Sequence, residues 1–97
     1  MEPLKEGEHG PYSILASRPL PDGVTILFMP ALSALLTRAE QLKGSPLTEE
    51  QVLRIRDGAL AVVTRGDAAA ATIEQRGHPE VDPTSAWQSW QAIRYPG

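Results

Sequence analysis

The sequence predicts an α+β fold, in which a short N-terminal β-hairpin packs on three or four α-helices. Three observations carry that prediction. Leu47-Thr48-Glu49-Glu50-Gln51-Val52 has every feature of a helix start. Thr48 and Gln51 have the spacing of a capping box, Leu47 and Val52 that of a hydrophobic staple, and Glu49 and Glu50 fall where the helix dipole favours negative charge. Val24-Thr25-Ile26-Leu27-Phe28-Met29 is β-branched and aromatic, bounded by Gly23 and Pro30, and reads as a strand. Leu32, Leu35, Leu36, Ala39 and Leu42 recur at helical spacing. The competing architecture is a mainly α-helical bundle with an extended N-terminal arm.

Taken in order, residues 1–11 are acidic and carry Pro3, Gly7, Gly10 and Pro11, which predicts a flexible tail and leaves 12–97 as the globular domain. Tyr12 to Ser17 is expected as a short strand. A loop from Arg18 to Gly23, turning at Asp22-Gly23, would return the chain as the second strand of the hairpin. Pro30 suits the first turn of a helix running to Lys43, with Gly44 as its terminator. After Ser45-Pro46 comes the capped helix, with Val52, Ile55 and Ala59 on one face and Glu50 four residues before Arg54. Residues 59–64 fit either a helical continuation or a buried strand. Gly58 and the Val62-Val63-Thr64 run favour the strand. Asp67 is expected to cap a helix from Ala68 to Arg76 stopped by Gly77, and Asp82-Pro83 to open a last helix through Arg94.

Composition narrows the function classes. Ninety-seven residues are the size of one domain. The aromatics are Tyr12, Phe28, Trp87, Trp90 and Tyr95, so the core is expected to be aliphatic. Twelve acids against nine scattered bases leave a net charge of −3, without the concentrated basic surface that nucleic acid requires. The absence of cysteine excludes disulfides, thiolate zinc sites and thiol nucleophiles. The N-terminus lacks a signal-peptide pattern, and the longest apolar stretch, 24–36, falls short of the roughly 20 residues a membrane span needs. The expectation is a cytoplasmic protein with no membrane partner.

Site chemistry is sparse. His9 and His78 are the only histidines. His78-x-Glu80-x-Asp82 is the nearest approach to a ligand cluster, although Asp82 is better explained as a helix cap. No serine lies in a nucleophile elbow, and no glycine-rich phosphate loop is present. A helix-turn-helix reading founders on a second helix made of Ala-Ala-Ala-Ala-Thr-Ile-Glu-Gln, which has little to offer phosphates or bases. No cofactor, metal or catalytic residue is therefore expected. The predicted function is that of a non-enzymatic protein-binding module, of the sort that immunity proteins, antitoxins and inhibitors exemplify, acting by occlusion of a basic partner. An acidic face would meet that partner, built from Glu49, Glu50 and Asp57 or from Glu74, Glu80 and Asp82, with a tryptophan (Trp87 or Trp90) or a leucine as anchor. The bland alternative for the tryptophans is that they clamp the last helix, one in the core and one partly exposed. Two other functions compete: a metal- or ligand-dependent enzyme subunit using His78 and nearby acids, and a homo-oligomeric structural protein joined through strand edges.

Overall fold

The α+β class holds. A computed structural model describes residues 2–77 and 80–94, with only the backbone of Arg94. The elements run β1 (His9–Pro11), α1 (Tyr12–Ala16), β2 (Val24–Phe28), α2 (Leu32–Lys43), α3 (Glu49–Gly58), β3 (Leu60–Arg65), α4 (Gly66–Arg76), a 3-10 turn (Pro83–Ser85) and α5 (Ala86–Arg94). The sheet has the order β1-β3-β2, with both outer strands antiparallel to β3. Residues 59–64 thus resolve as the strand they slightly favoured, and that strand is the centre of the sheet.

The predicted hairpin does not form, and this is the main correction. Val24–Phe28 is a strand, but it pairs with β3 in the register Val24↔Arg65 to Phe28↔Ala61. Tyr12–Ala16 is helical. The physical reason lies in side-chain direction. Helical spacing puts Tyr12 and Leu15 on one side, whereas a strand would turn them to opposite faces. Leu15 reaches the core, and the Tyr12 ring stacks on Phe28 with centroids 5.0 Å apart.

Nor is the segment 1–11 a tail over the residues described. Leu4 is only 2% exposed and belongs to the main core. Its amide donates to Pro19 O at 2.9 Å, while Gly7 N donates to Val63 O and Val63 N to Glu8 O, each at 2.8 Å. Gly7, at φ 95°, makes a turn that a residue with a Cβ adopts only under strain, so its glycine marks a bend and not looseness. Arg18 fastens the segment. Its guanidinium donates to the carbonyls of Glu2 and Pro3 and, at 2.6 Å, to Glu8 Oε1.

The helices follow local signals closely. The capping box of α3 is complete: Gln51 N donates to Thr48 Oγ1 and Thr48 N to Gln51 Oε1. Leu47 and Val52, the staple pair, are both buried in the core. Helix α2 starts at Leu32, two residues later than expected, and ends at Gly44 in the left-handed conformation. Its stripe is buried at Leu32 and Leu36, but Leu42 is 77% exposed. Ten residues at about 100° each carry Leu42 roughly 80° away from Leu32, off the buried face. Helix α4 begins directly after β3, with Arg65 in the capping position and Asp67 inside the first turn instead of capping it. Asp82 does cap, its Oδ1 accepting from Thr84 N, although the turn it opens is 3-10 before α5 begins.

The sheet has two unequal faces. Phe28, Ala61 and Val63 point into the main cluster with Leu4, Leu36, Val52 and Trp90. Leu27 must point the other way because strand side chains alternate. It is buried outside that cluster, as is Ala69 of α4, which packs on β2 and β3.

Leu4→Ala is expected to destabilise the protein by about 2–5 kcal/mol in urea unfolding, the cost of emptying a filled core site. A change below about 0.5 kcal/mol, typical of exposed positions, would show that the segment is not part of the fold. The Arg18 side chain holds the Glu8 carboxyl below the ordinary glutamate range. A carboxyl so depressed contributes stability above its unfolded pKa, and that contribution is lost as the pH falls through the folded value. Glu8→Gln should therefore flatten the acid side of the stability profile below roughly pH 4–5, read as melting temperature against pH.

Candidate functional site

The capped start of α3 fixes the first acidic group. Glu49, Leu53 and Asp57 recur at four-residue spacing and so share a helix face. With Glu50 and Arg54 they line a shallow groove of about 420 Å³. Two of the three carboxylates already face a guanidinium. Glu50 Oε1 lies 2.6 Å from Arg54 Nη2, and Asp57 Oδ1 lies 2.8 Å from Arg56 Nη2. The acidity of this face is therefore partly offset from within its own helix.

The second acidic group divides. Glu80 and Asp82 line a groove of about 330 Å³ beside β2, over Ile26, Phe28, Ile73 and Val81, whereas Glu74 is exposed on α4 and does not line it. Glu80 Oε1 pairs with Arg76 Nη1 at 2.8 Å, and Arg76 Nη2 donates to Phe28 O at 2.8 Å. Hydrogen bonds from the Thr84 side chain and amide hold the Asp82 carboxyl below its ordinary range, so it stays charged at neutral pH. The two groups, separate in sequence, approach each other around Tyr12. Arg56 bridges Asp57 and Pro83 O, and Asp57 and Asp82 both act electrostatically on the Tyr12 hydroxyl, whose pKa burial raises.

The tryptophans separate in role. Trp90 is 3% exposed and sits in the core, which removes it as a surface anchor; Trp87 is half-buried and packs at the edge of the cluster. Trp90 also lines a cavity of about 610 Å³ between α2, the Gly44–Pro46 turn and α5, with Thr37, Gln41 and Ile93 among its walls. Its indole Nε1 is buried without a hydrogen-bond partner among the described residues. That costs on the order of 1–3 kcal/mol, which the apolar burial of the ring offsets.

Sequence reasoning missed the apolar surface beside α3. Met29 and Leu60 are 44% and 50% exposed, and with Pro30, Leu35 and Ile55 they line a groove of about 450 Å³. Arg54 lines this groove and the acidic one alike, so the two adjoin. A signal for Leu60 was available. In the run Leu60-Ala61-Val62-Val63, once Ala61 and Val63 are inward, Leu60 must face away.

His9 is exposed in β1, and His78 lies outside the described residues, as do Tyr95-Pro96-Gly97. Among the described residues no group of three or more His, Cys, Asp or Glu is placed to hold a metal ion, and no helix is long and apolar enough to cross a membrane. Comparison with protein-family models, with curated proteins and with solved structures gives no match.

Trp87→Phe should leave a protein whose remaining fluorescence, from Trp90, is blue-shifted and resistant to acrylamide. Trp90→Ala is expected to cost about 3–5 kcal/mol in urea unfolding, well above the cost of Trp87→Ala. Equal costs, or ready quenching of Trp90, would contradict the assignment of Trp90 to the core.

Proposed function

We propose that the chain is a non-enzymatic protein-binding module that covers part of another protein in the cytoplasm, the mode of action of immunity proteins, antitoxins and inhibitors. The observation that carries this reading is the adjacency of the apolar groove at Met29 and Leu60 to the carboxylates of α3. Large apolar side chains clustered at a surface and bordered by charge are the ordinary make-up of an interface. Methionine adds adaptability, since its unbranched thioether refits to different partner shapes. Burying a Met or Leu side chain completely is worth about 1.5–3 kcal/mol, and these two are already about half-buried. The pair thus supplies an anchor worth a few kcal/mol. Glu49, Glu50 and Asp57 contribute chiefly steering and orientation, because Arg54 and Arg56 offset part of their field. The partner is expected to present an apolar side chain next to basic residues.

The test is capture of a partner from native extract on immobilised protein, compared with two folded variants. Leu60→Ser removes the anchor, and Glu49→Gln with Glu50→Gln and Asp57→Asn removes the carboxylates without reversing the dipole preference of the helix. Loss of affinity is expected to be tenfold or more for Leu60→Ser, equivalent to about 1.4 kcal/mol, and smaller but salt-sensitive for the neutralised variant. A partner retained equally by all three proteins would refute this face as its binding surface.

A further inference from the structure

Of the two anchors on the proposed binding face, only Met29 has a side chain that peroxides oxidise. It is 44% exposed and lines the apolar groove with Pro30, Leu35, Ile55 and Leu60. Its sulfur is engaged on one side, where Arg76 Nη2 donates to Met29 Sδ at 3.3 Å. A thioether is a weak acceptor and would not hold a guanidinium by itself. Two stronger bonds do so. Arg76 Nη2 also donates to Phe28 O and Nη1 to Glu80 Oε1, each at 2.8 Å, and the Arg76 side chain is only 15% exposed. Arg76 therefore stands as a fixed guard over one side of the sulfur.

A thioether sulfur carries two lone pairs, and oxygen added to one or the other gives opposite sulfoxide epimers. One lone pair faces the guanidinium hydrogen, and the exposure of Met29 leaves the other to solvent. We infer that Met29 is a peroxide-reactive modification site, oxidised on the side away from Arg76 to a single sulfoxide epimer, and that this oxidation releases the partner. In the step, the open lone pair attacks the nearer oxygen of hydrogen peroxide or an alkyl hydroperoxide, and the O–O bond breaks. The proton of the attacked oxygen passes through solvent to the departing one, which leaves as water or an alcohol. Sulfur loses two electrons and the peroxide gains them. The new oxygen stands opposite the guanidinium, away from its hydrogen bonds, on a side chain that the partner must dry. Burying it unpaired opposes binding. The effect on binding rests on the protein-binding reading, whereas the site and its stereochemistry do not.

The test treats the folded protein with hydrogen peroxide, removes the oxidant, and counts the two epimers at Met29 with epimer-specific methionine sulfoxide reductases. One epimer is expected in at least about threefold excess, the discrimination that one weak hydrogen bond supplies. Oxidation in urea, where Arg76 no longer guards the sulfur, should give nearly equal epimers, and Arg76→Gln should approach that ratio in the folded state. The oxidised protein should keep its melting temperature within about 4 °C, as changes at exposed positions do. The partner captured by untreated protein should then bind it about tenfold more weakly. Met29→Leu conserves volume and is inert to peroxide, so its affinity should ignore the oxidant. Resistance of Met29 to peroxide, equal epimers from the folded protein, or an excess that persists in urea would overturn the inference. So would a partner that binds the oxidised and untreated proteins equally. Capture of no partner by untreated protein would count against the protein-binding reading instead, and the epimer ratio would still decide the site.

Discussion

Strand β3 is the constraint on which the rest of the fold depends. Both outer strands hydrogen-bond to it and to no other strand. Its two inward residues, Ala61 and Val63, are buried against the helices. Two helices hang directly from its ends, α3 stopping at Gly58 and α4 starting at Gly66. A pair of strands alone is marginal in water, and independent stability takes a third strand with an apolar face or packing against a helix. Here the central strand meets both requirements, because the chain that forms it also delivers the helices on either side. The N-terminal segment depends on it too. Gly7 and Glu8 exchange backbone bonds with Val63, which positions Leu4 to enter the core.

What was legible in the sequence was local. The start of α3 could be read to the atom, since a capping box and a staple involve residues three to five apart. The end of α2 at Gly44 and the cap at Asp82 were legible for the same reason. Pairing was not. Val24–Phe28 declared itself a strand, but its partner lies some 35 residues further on, and the nearest apolar run, Tyr12–Ser17, was the natural wrong choice. Tyr12–Ala16 is helical because a helix can aim Tyr12 and Leu15 together, a preference that only the packed core reveals. The N-terminal glycines and prolines had two meanings, looseness or sharp turns, and composition cannot separate them. Gly7 is a turn, and Arg18, Glu8 and Leu4 close it.

The same division applies to the surface. Sequence reading grouped the acids into faces but treated them as free charge; Glu49, Glu50 and Asp57 lie on α3 and Glu74 on α4, whereas Glu80 and Asp82 precede the 3-10 turn outside any helix. In the fold, Arg54, Arg56 and Arg76 stand against Glu50, Asp57 and Glu80, so the net field is weaker than a count of carboxylates implies. The tryptophans, conspicuous in sequence, contribute one core ring and one half-buried neighbour. Among the exposed large apolar side chains, which include Ile14 and Leu42, Met29 and Leu60 share one groove, and neither carries a distinguishing motif. Leu60 is exposed because Ala61 and Val63 are buried, so its exposure follows from the face chosen by the central strand.

The two edges of the sheet are not treated alike. On the β1 side the bonded positions are 8, 10 and 12, since Val63 N donates to Glu8 O and Tyr12 N to Ala59 O. The outward residues are then His9 and Pro11, and proline has no N–H to offer. A strand of three residues with a proline at its open edge is a poor template for another chain. On the β2 side five residues without charge or proline stand at the edge, and among the described residues Arg76 closes only the Phe28 end. An uncharged, β-branched edge that serves no partner is a liability to be blunted, and the chain shows at β1 that it has the means to blunt one. The open backbone at Val24 and Ile26 therefore makes β2 the less protected edge of the sheet.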